Sequence, residues 1–162
     1  VISFTSAVNT KSDNLASYQK LERKVLDKIY KTNGGLDWYD NEKDHCDWTP
    51  HVGCNETTGR IYRLILQNQE MKGNLPIDIT DLEGLRRIEL DYNSFDGPIP
   101  TELATLSHLT HLHLSGNKLS GEIPTDLATL PQLNSLRLSN NTLRGKIPKE
   151  FGNLTALGQL YL

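Results

Sequence analysis

The sequence predicts an α/β repeat, a solenoid of stacked coils closed at one end by a helical, disulfide-bonded cap. Three observations carry this. Ile61, Leu85, Leu109, Leu133 and Leu157 open five successive copies of one pattern, 24 residues apart and without insertion. Each copy contains a short stretch in which apolar and polar residues alternate at the spacing of a strand. Ahead of the copies, residues 12–33 carry apolar residues at helical spacing, followed by two tryptophans and two cysteines. The domain plan is a capping region over 1–60 and five coils over 61–162, the last incomplete.

Within the third copy, Leu109, Leu112, Leu114, Asn117, Leu119, Gly121, Ile123, Pro124, Leu127 and Leu130 fill the fixed positions, and the second and fourth copies match at all of them. The first copy is looser, with Gln69 where the others have asparagine; terminal coils of an array are commonly atypical. The alternating stretch reads as a strand with one face inward, so stacked coils form a parallel sheet. Where the chain then turns inward, backbone groups lose strand partners and must still be bonded. An amide side chain offers donors and an acceptor together, so Asn93, Asn117 and Asn141 are expected to form a buried ladder, with Gln69 as its terminal member. Gly73, Gly97, Gly121 and Gly145, each followed by an Ile-Pro or Leu-Pro step, turn the coil. Asp78, Glu102, Asp126 and Glu150 follow the prolines, where a short helical turn favours negative charge. Calcium is set aside for that row, because it needs six or more converging oxygens.

The helix over 12–33 is expected to bury Leu15, Tyr18, Leu21, Val25, Leu26, Ile29 and Tyr30, with Ser12, Asp13 and Asn14 near its start and Asn33-Gly34-Gly35 as its stop. Lys20, Glu22, Arg23, Lys24, Asp27, Lys28 and Lys31 read as its solvated face rather than a nucleic-acid or membrane site. Trp38, Tyr39 and Trp48 are expected to plug the first coil. Cys46 and Cys54 stand at a separation that permits a disulfide and implies an oxidising compartment. The rival, metal or redox chemistry, lacks both a second Cys/His pair at finger spacing and a C-x-x-C.

The run C-D-W-T-P-H-V-G-C at 46–54, ahead of coils that carry G-x-I-P, resembles the plant-type extracellular leucine-rich repeat family, which includes receptor-like ectodomains and polygalacturonase-inhibiting proteins. The likeness covers nearly all of residues 15–162. The cap departs from the family's C-x-W-x-G-V-x-C by one additional residue and by His51, and the T-N-G at 32–34 leading to Trp38 resembles algal and protist members. The resemblance implies a right-handed leucine-rich repeat solenoid with its parallel sheet on the concave face, a second sheet beside it, secretion, and binding rather than catalysis.

Composition agrees with one soluble, folded core: 162 residues, 36% hydrophobic, formal charge −3. Nothing points to nucleic acid, to a cofactor or to a membrane span in this segment, and the stretch from Val1 to Val8 lacks signal-peptide character. Sequons at Asn55, Asn140 and Asn153 fit a secreted glycoprotein. Localisation is expected to be extracellular or in the secretory lumen, including as the ectodomain of a membrane protein. The fifth copy stops at its last strand leucine, Leu162, so the chain is expected to continue or to be covered there by a partner chain.

Residues beside the strand leucines face the concave side, and they are the positions that vary between copies. Arg63, Arg87 and His111 are expected to stack in one column, and Ile65, Glu89, His113, Arg137 and Tyr161 in the next, with Asp91 and Tyr92 beyond. This face is the expected site for a protein, peptide or glycan ligand, because arginine and tyrosine are favoured anchors. His108, His111 and His113 show no carboxylate or cysteine to complete a zinc sphere, so no metal is expected, whereas imidazole titration predicts binding that changes near pH 6. No catalytic motif is present: there is no G-x-S-x-G, phosphate-binding glycine loop or H-E-x-x-H. Three other roles fit the same coils. They are inhibition of a secreted polysaccharide-degrading enzyme, ice binding through Thr101, Thr105, Thr125 and Thr129, and service as a structural subunit of a larger assembly.

Overall fold

The computed structural model describes residues 6–36 and 38–162, with side chains from residue 15 onward. Residues 1–5, part of the stretch without signal-peptide character, lie outside the described residues, as do the side chains of Ser12, Asp13 and Asn14. One helix, α1 (Ser6–Asn33), is followed by ten strands: β1 (Val52–Cys54), β2 (Ile61–Ile65), β3 (Lys72–Asn74), β4 (Arg87–Glu89), β5 (Ser94–Gly97), β6 (His111–His113), β7 (Lys118–Glu122), β8 (Ser135–Arg137), β9 (Thr142–Arg144) and β10 (Gln159–Tyr161). They form a six-stranded sheet in the order β1-β2-β4-β6-β8-β10 and a four-stranded sheet in the order β3-β5-β7-β9. Each of the first four coils thus gives one strand to each sheet and then a 3-10 turn that leads into the next coil, at Ile77–Asp81, Thr101–Thr105, Thr125–Thr129 and Lys149–Asn153, and the fifth gives β10 alone. All pairings in both sheets are parallel except β1 with β2.

The recurring leucines line one interior. Ile61, Leu64, Leu85, Ile88, Leu109, Leu112, Leu133 and Leu136 are fully buried in a single cluster that runs from Val25 of the cap to Leu154. Each such side chain contributes roughly 1.5–3 kcal/mol when removed from water, and no coil could bury its own set without neighbours.

The ladder asparagines stitch coil to coil. Asn117 Nδ2 donates to Leu90 O at 3.0 Å in the preceding coil and to Leu114 O at 3.1 Å in its own, while its Oδ1 accepts from Phe95 N at 3.0 Å. Asn93 repeats this with Leu66 O, Leu90 O and Met71 N, and Asn141 with Leu114 O, Leu138 O and Leu119 N. Asn117 is buried; Asn93 and Asn141 are only half-buried, nearer the ends of the array. Gln69 does not extend the seam, since its Nε2 donates to Gln67 O within its own coil at 3.2 Å. Asn33 at the end of α1 takes the equivalent job at the second sheet, donating to Lys72 O and Asn74 O.

Two cap expectations are corrected. The helix begins at Ser6, so Ser12, Asp13 and Asn14 lie within it rather than at its start. The buried stripe is also rotated: Leu21 is 51% exposed and Tyr18 is exposed, whereas Glu22, expected in solvent, is 1% exposed. The reason is an orphan backbone group. Ile61 N begins the first parallel strand, and Glu22 Oε2 accepts its hydrogen bond at 3.1 Å, with Arg60 Nε at 3.5 Å from Oε1. Cys46 and Cys54 form the expected disulfide, and Trp38 and Trp48 are buried edge-to-face with centroids 6.1 Å apart. Arg23, also expected in solvent, is half-buried over the Trp48 ring at 4.6 Å and holds Lys43 O and Asp40 O.

Candidate ligand-binding face

Parallel register sets which side chains meet on the concave sheet. Arg63, Arg87, His111, Ser135 and Gln159 pair in succession across five strands, and Ile65, Glu89, His113, Arg137 and Tyr161 form the neighbouring column. Beyond the strands the chain stays in step, with Tyr92 N bonded to Ser115 O and Gly116 N to Ser139 O. Asp91 therefore lies between Gln67 and Ser115 in a third column.

These columns are cross-linked. Arg87 Nε lies 2.5 Å from Glu89 Oε1. Gln67 Nε2 donates to Glu89 Oε2 and, at 3.3 Å, to Asp91 Oδ2. Asp91 Oδ1 accepts from Ser115 N at 2.8 Å. His113 Nε2 meets Ser135 Oγ at 2.8 Å, and Ser135 Oγ donates to Gln159 Oε1 at 3.1 Å. Arg137 lies over the Tyr161 ring at 5.1 Å.

Exposure divides the face. Tyr92 is 60% exposed and Tyr161 is exposed; Arg63, Arg87, Glu89, His111 and Arg137 are half-buried; Asp91 is 5% and His113 4% exposed. The sequence pattern marked all of these positions as facing one side, but the long neighbours Gln67, Arg87 and Arg137 fold over the shorter groups. Burial raises the Asp91 carboxyl above its ordinary range, partly offset by the Ser115 N–H, and Glu89 adds to the rise. Desolvation pushes the His113 imidazole down to about 4, with Arg137, His111 and Arg87 adding to the effect. His111 is lowered by desolvation and then by Arg87. The His113 imidazole is therefore held below the range of a binding change near pH 6, and His111 is displaced in the same direction.

A depression of about 320 Å3 opens among these groups, lined by Gln67, Asp91, Tyr92, Arg137, Asn140 and Tyr161 with the serines between them. One feature of it escaped the sequence reading. Asn68, Tyr92, Gly116 and Asn140 occupy equivalent places in four coils and all have positive φ, at 54°, 57°, 68° and 56°. A Cβ on Gly116 would come within 2.6 Å of the Tyr92 ring, so the glycine seats that ring. The signal was present as a column of Asn, Tyr, Gly and Asn at one spacing, in which tyrosine is the residue that does not favour left-handed backbone.

Of the sequons, Asn140 is exposed on the rim of this depression, Asn153 is exposed at the end of a 3-10 turn, and Asn55 is exposed in the loop after β1, where its Oδ1 accepts from Thr57 N and Thr58 N. Among the described residues no helix is long and apolar enough to cross a membrane.

The family model described as Leucine Rich Repeat matches residues 84–106, 108–130 and 132–154. No curated protein matches the chain. Among solved structures, the BIR2 ectodomain from Arabidopsis thaliana is 33% identical with a TM-score of 0.76, over 83% of this chain and 75% of that one. A plant ice-binding protein is 32% identical with a TM-score of 0.65, over 83% of this chain and 53% of that one. The plant peptide hormone receptor RGFR1, in complex with RGF2, is 31% identical with a TM-score of 0.64, over 72% of this chain and 22% of that one. Identity of this order over most of the BIR2 ectodomain, on an unbroken array of stitched coils behind a disulfide-bonded cap, places the chain in the plant-type extracellular leucine-rich repeat family.

Proposed function

We propose that the chain is an extracellular recognition module, the leucine-rich repeat part of a receptor-like or adhesive protein, and that it binds a peptide or protein segment across its concave sheet. The observation that carries this reading is the depression bounded by Tyr92, Arg137 and Tyr161, whose lining comes from positions that vary while the core repeats. Exposed tyrosines offer large, rigid contact area, and Arg137, stacked on Tyr161, is oriented before any ligand arrives. Charges of both signs beside these rings suit a peptide backbone and its side chains. The similarity to a peptide hormone receptor supports the same class of ligand. The test is a binding screen of the secreted chain against secreted peptides and proteins, repeated with Arg87→Ala, Glu89→Ala and Arg137→Ala combined. We expect the triple variant to weaken the interaction at least about tenfold, as loss of interface anchors does. A variant that keeps every partner at full affinity would remove the concave face from consideration.

Ice binding has support from the similar plant protein, but the regular threonine surface it calls for spans two coils here. Thr105 and Thr129 are exposed, yet each hydroxyl donates into its own turn, to Glu102 O and Asp126 O. No thermal hysteresis is expected from the purified chain.

A further inference from the structure

Glu89, Asp91 and His113 bring one donor atom each to within 4.8 Å of the other two. Glu89 and His113 are cross-strand partners on β4 and β6, and Asp91 follows Glu89 at strand spacing. The expectation of no metal, made for want of a carboxylate or cysteine to complete the sphere of the histidines, is answered by two carboxylates that stacking brings from the preceding coil.

His113 is the second, independent observation. Its ring is buried, and Nε2 contacts a hydroxyl already committed to donating to Gln159 Oε1. That hydroxyl can only accept from the imidazole, so the proton resides on Nε2 and Nδ1 keeps its lone pair. Nδ1 makes no hydrogen bond and faces Glu89 Oε1 at 4.0 Å. A lone pair aimed at a carboxylate is repulsive unless a cation lies between them. Metal-ligating histidines are fixed in this way, by a partner on the ring nitrogen that does not bind the metal. The carboxylates are anchored too, Asp91 through Ser115 N and both through Gln67. Arg87, which now contacts Glu89 Oε1, has a half-exposed side chain that can turn outward. Zinc at about 2.0–2.1 Å from nitrogen and oxygen sets tetrahedral ligands roughly 3.3 Å apart, so the cluster needs to tighten by no more than about 1.5 Å from its 4.8 Å limit.

We propose that Glu89, Asp91 and His113 bind one zinc-like divalent transition-metal ion, with Ser135 as the positioning residue that holds the His113 tautomer. One imidazole among oxygens favours such an ion over calcium or magnesium. Three protein ligands leave a coordination position open toward the depression, where a carboxylate or imidazole of a bound peptide could complete the sphere.

The site is tested on the ligand-free chain, so its outcome is separate from whether any peptide binds. Chelator-treated protein is titrated calorimetrically with zinc chloride alone, and in parallel with magnesium and calcium chloride. We expect one zinc per chain, no competition from the other two ions, at least about tenfold weaker binding in Asp91→Asn and His113→Gln, and about tenfold weaker binding in Ser135→Ala. Asp91→Asn keeps an acceptor for Ser115 N–H, and circular dichroism checks that it is folded. If His113→Gln does not fold, loss of the cobalt(II) absorption spectrum in Asp91→Asn reports on the same sphere. Absence of zinc uptake, or uptake at equal affinity in Asp91→Asn, overturns the site. Weakening in Asp91→Asn without weakening in Ser135→Ala overturns the positioning role alone.

Discussion

Tyr92 sits in a backbone conformation that its Cβ opposes, with φ at 57° where the equivalent residues are Asn68, Gly116 and Asn140. Left-handed backbone costs a non-glycine residue roughly 1–2 kcal/mol, and asparagine bears it best. Strain retained at a functional face is evidence for a use. Tyr92→Asn should therefore raise stability by about 0.5–1 kcal/mol in urea denaturation, part of the relief being lost with the ring's contact on Gly116, while it weakens ligand binding. A gain in both would remove Tyr92 from the site. Asn117 is the opposite case, a residue bound wholly to structure. Asn117→Ala would strand Phe95 N in the interior and leave Leu90 O and Leu114 O with one amide donor each, from Asn93 and Asn141, and should cost about 1–3 kcal/mol in the same assay. The ladder was legible because its spacing and its chemistry agree. The strain at Tyr92 was not, because it appears only when four coils are read down a column that hydrophobicity does not mark.

At the scale of elements, the cap concentrates what sequence could not foretell. Val25, Leu26 and Ile29 give away the buried stripe of α1, but Glu22 joins it only because Ile61, 39 residues later, presents an unpaired N–H. Periodicity registers apolar side chains, not the backbone donors of a distant strand. The pairing has a pH signature. His45 is buried beside Glu22, and desolvation holds its imidazole below its ordinary range, with Arg23 adding and Asp44 opposing. The unfolded chain takes up that proton first, so stability falls as pH drops below about 6.5. Glu22 is raised, by burial above all, against the Ile61 N–H and Arg60. Its folded value lies above its unfolded one, so its penalty is present at neutral pH and relieved on acidification. His45→Gln should flatten the decline that sets in below about pH 6.5, and Glu22→Gln should steepen the loss on acidification, in urea midpoints across pH. The Cys46–Cys54 bridge pins the loop carrying Trp48 across a sequence separation of 8. Replacing both cysteines by serine should cost about 2–3 kcal/mol by loop closure.

Across the whole molecule, the fold was legible because 24-residue spacing survives directly as stacking. The candidate site was legible as columns: Arg63 over Arg87 over His111, and Glu89 over His113 over Arg137. Burial within those columns was not, since whether Asp91 lies open or covered depends on where the arms of Gln67 and Arg137 come to rest. Modularity yields a further expectation. Duplicating residues 109–132 in place preserves every column and every asparagine contact, so the longer chain should melt no lower than the parent by circular dichroism. Duplicating 109–120 alone shifts Asn141 out of step with Leu114 O and should lower the midpoint sharply.

The asparagine seam always points backward: Asn93 donates to Leu66 O, Asn117 to Leu90 O and Asn141 to Leu114 O. The same amides also accept a backbone N–H from the preceding coil, Met71 N, Phe95 N and Leu119 N. Every junction is thus closed by a side chain of the later coil, which makes the array polar along its axis. A coil is completed by its successor, so losing Asn141 would first loosen the coil before it, at Leu119 N.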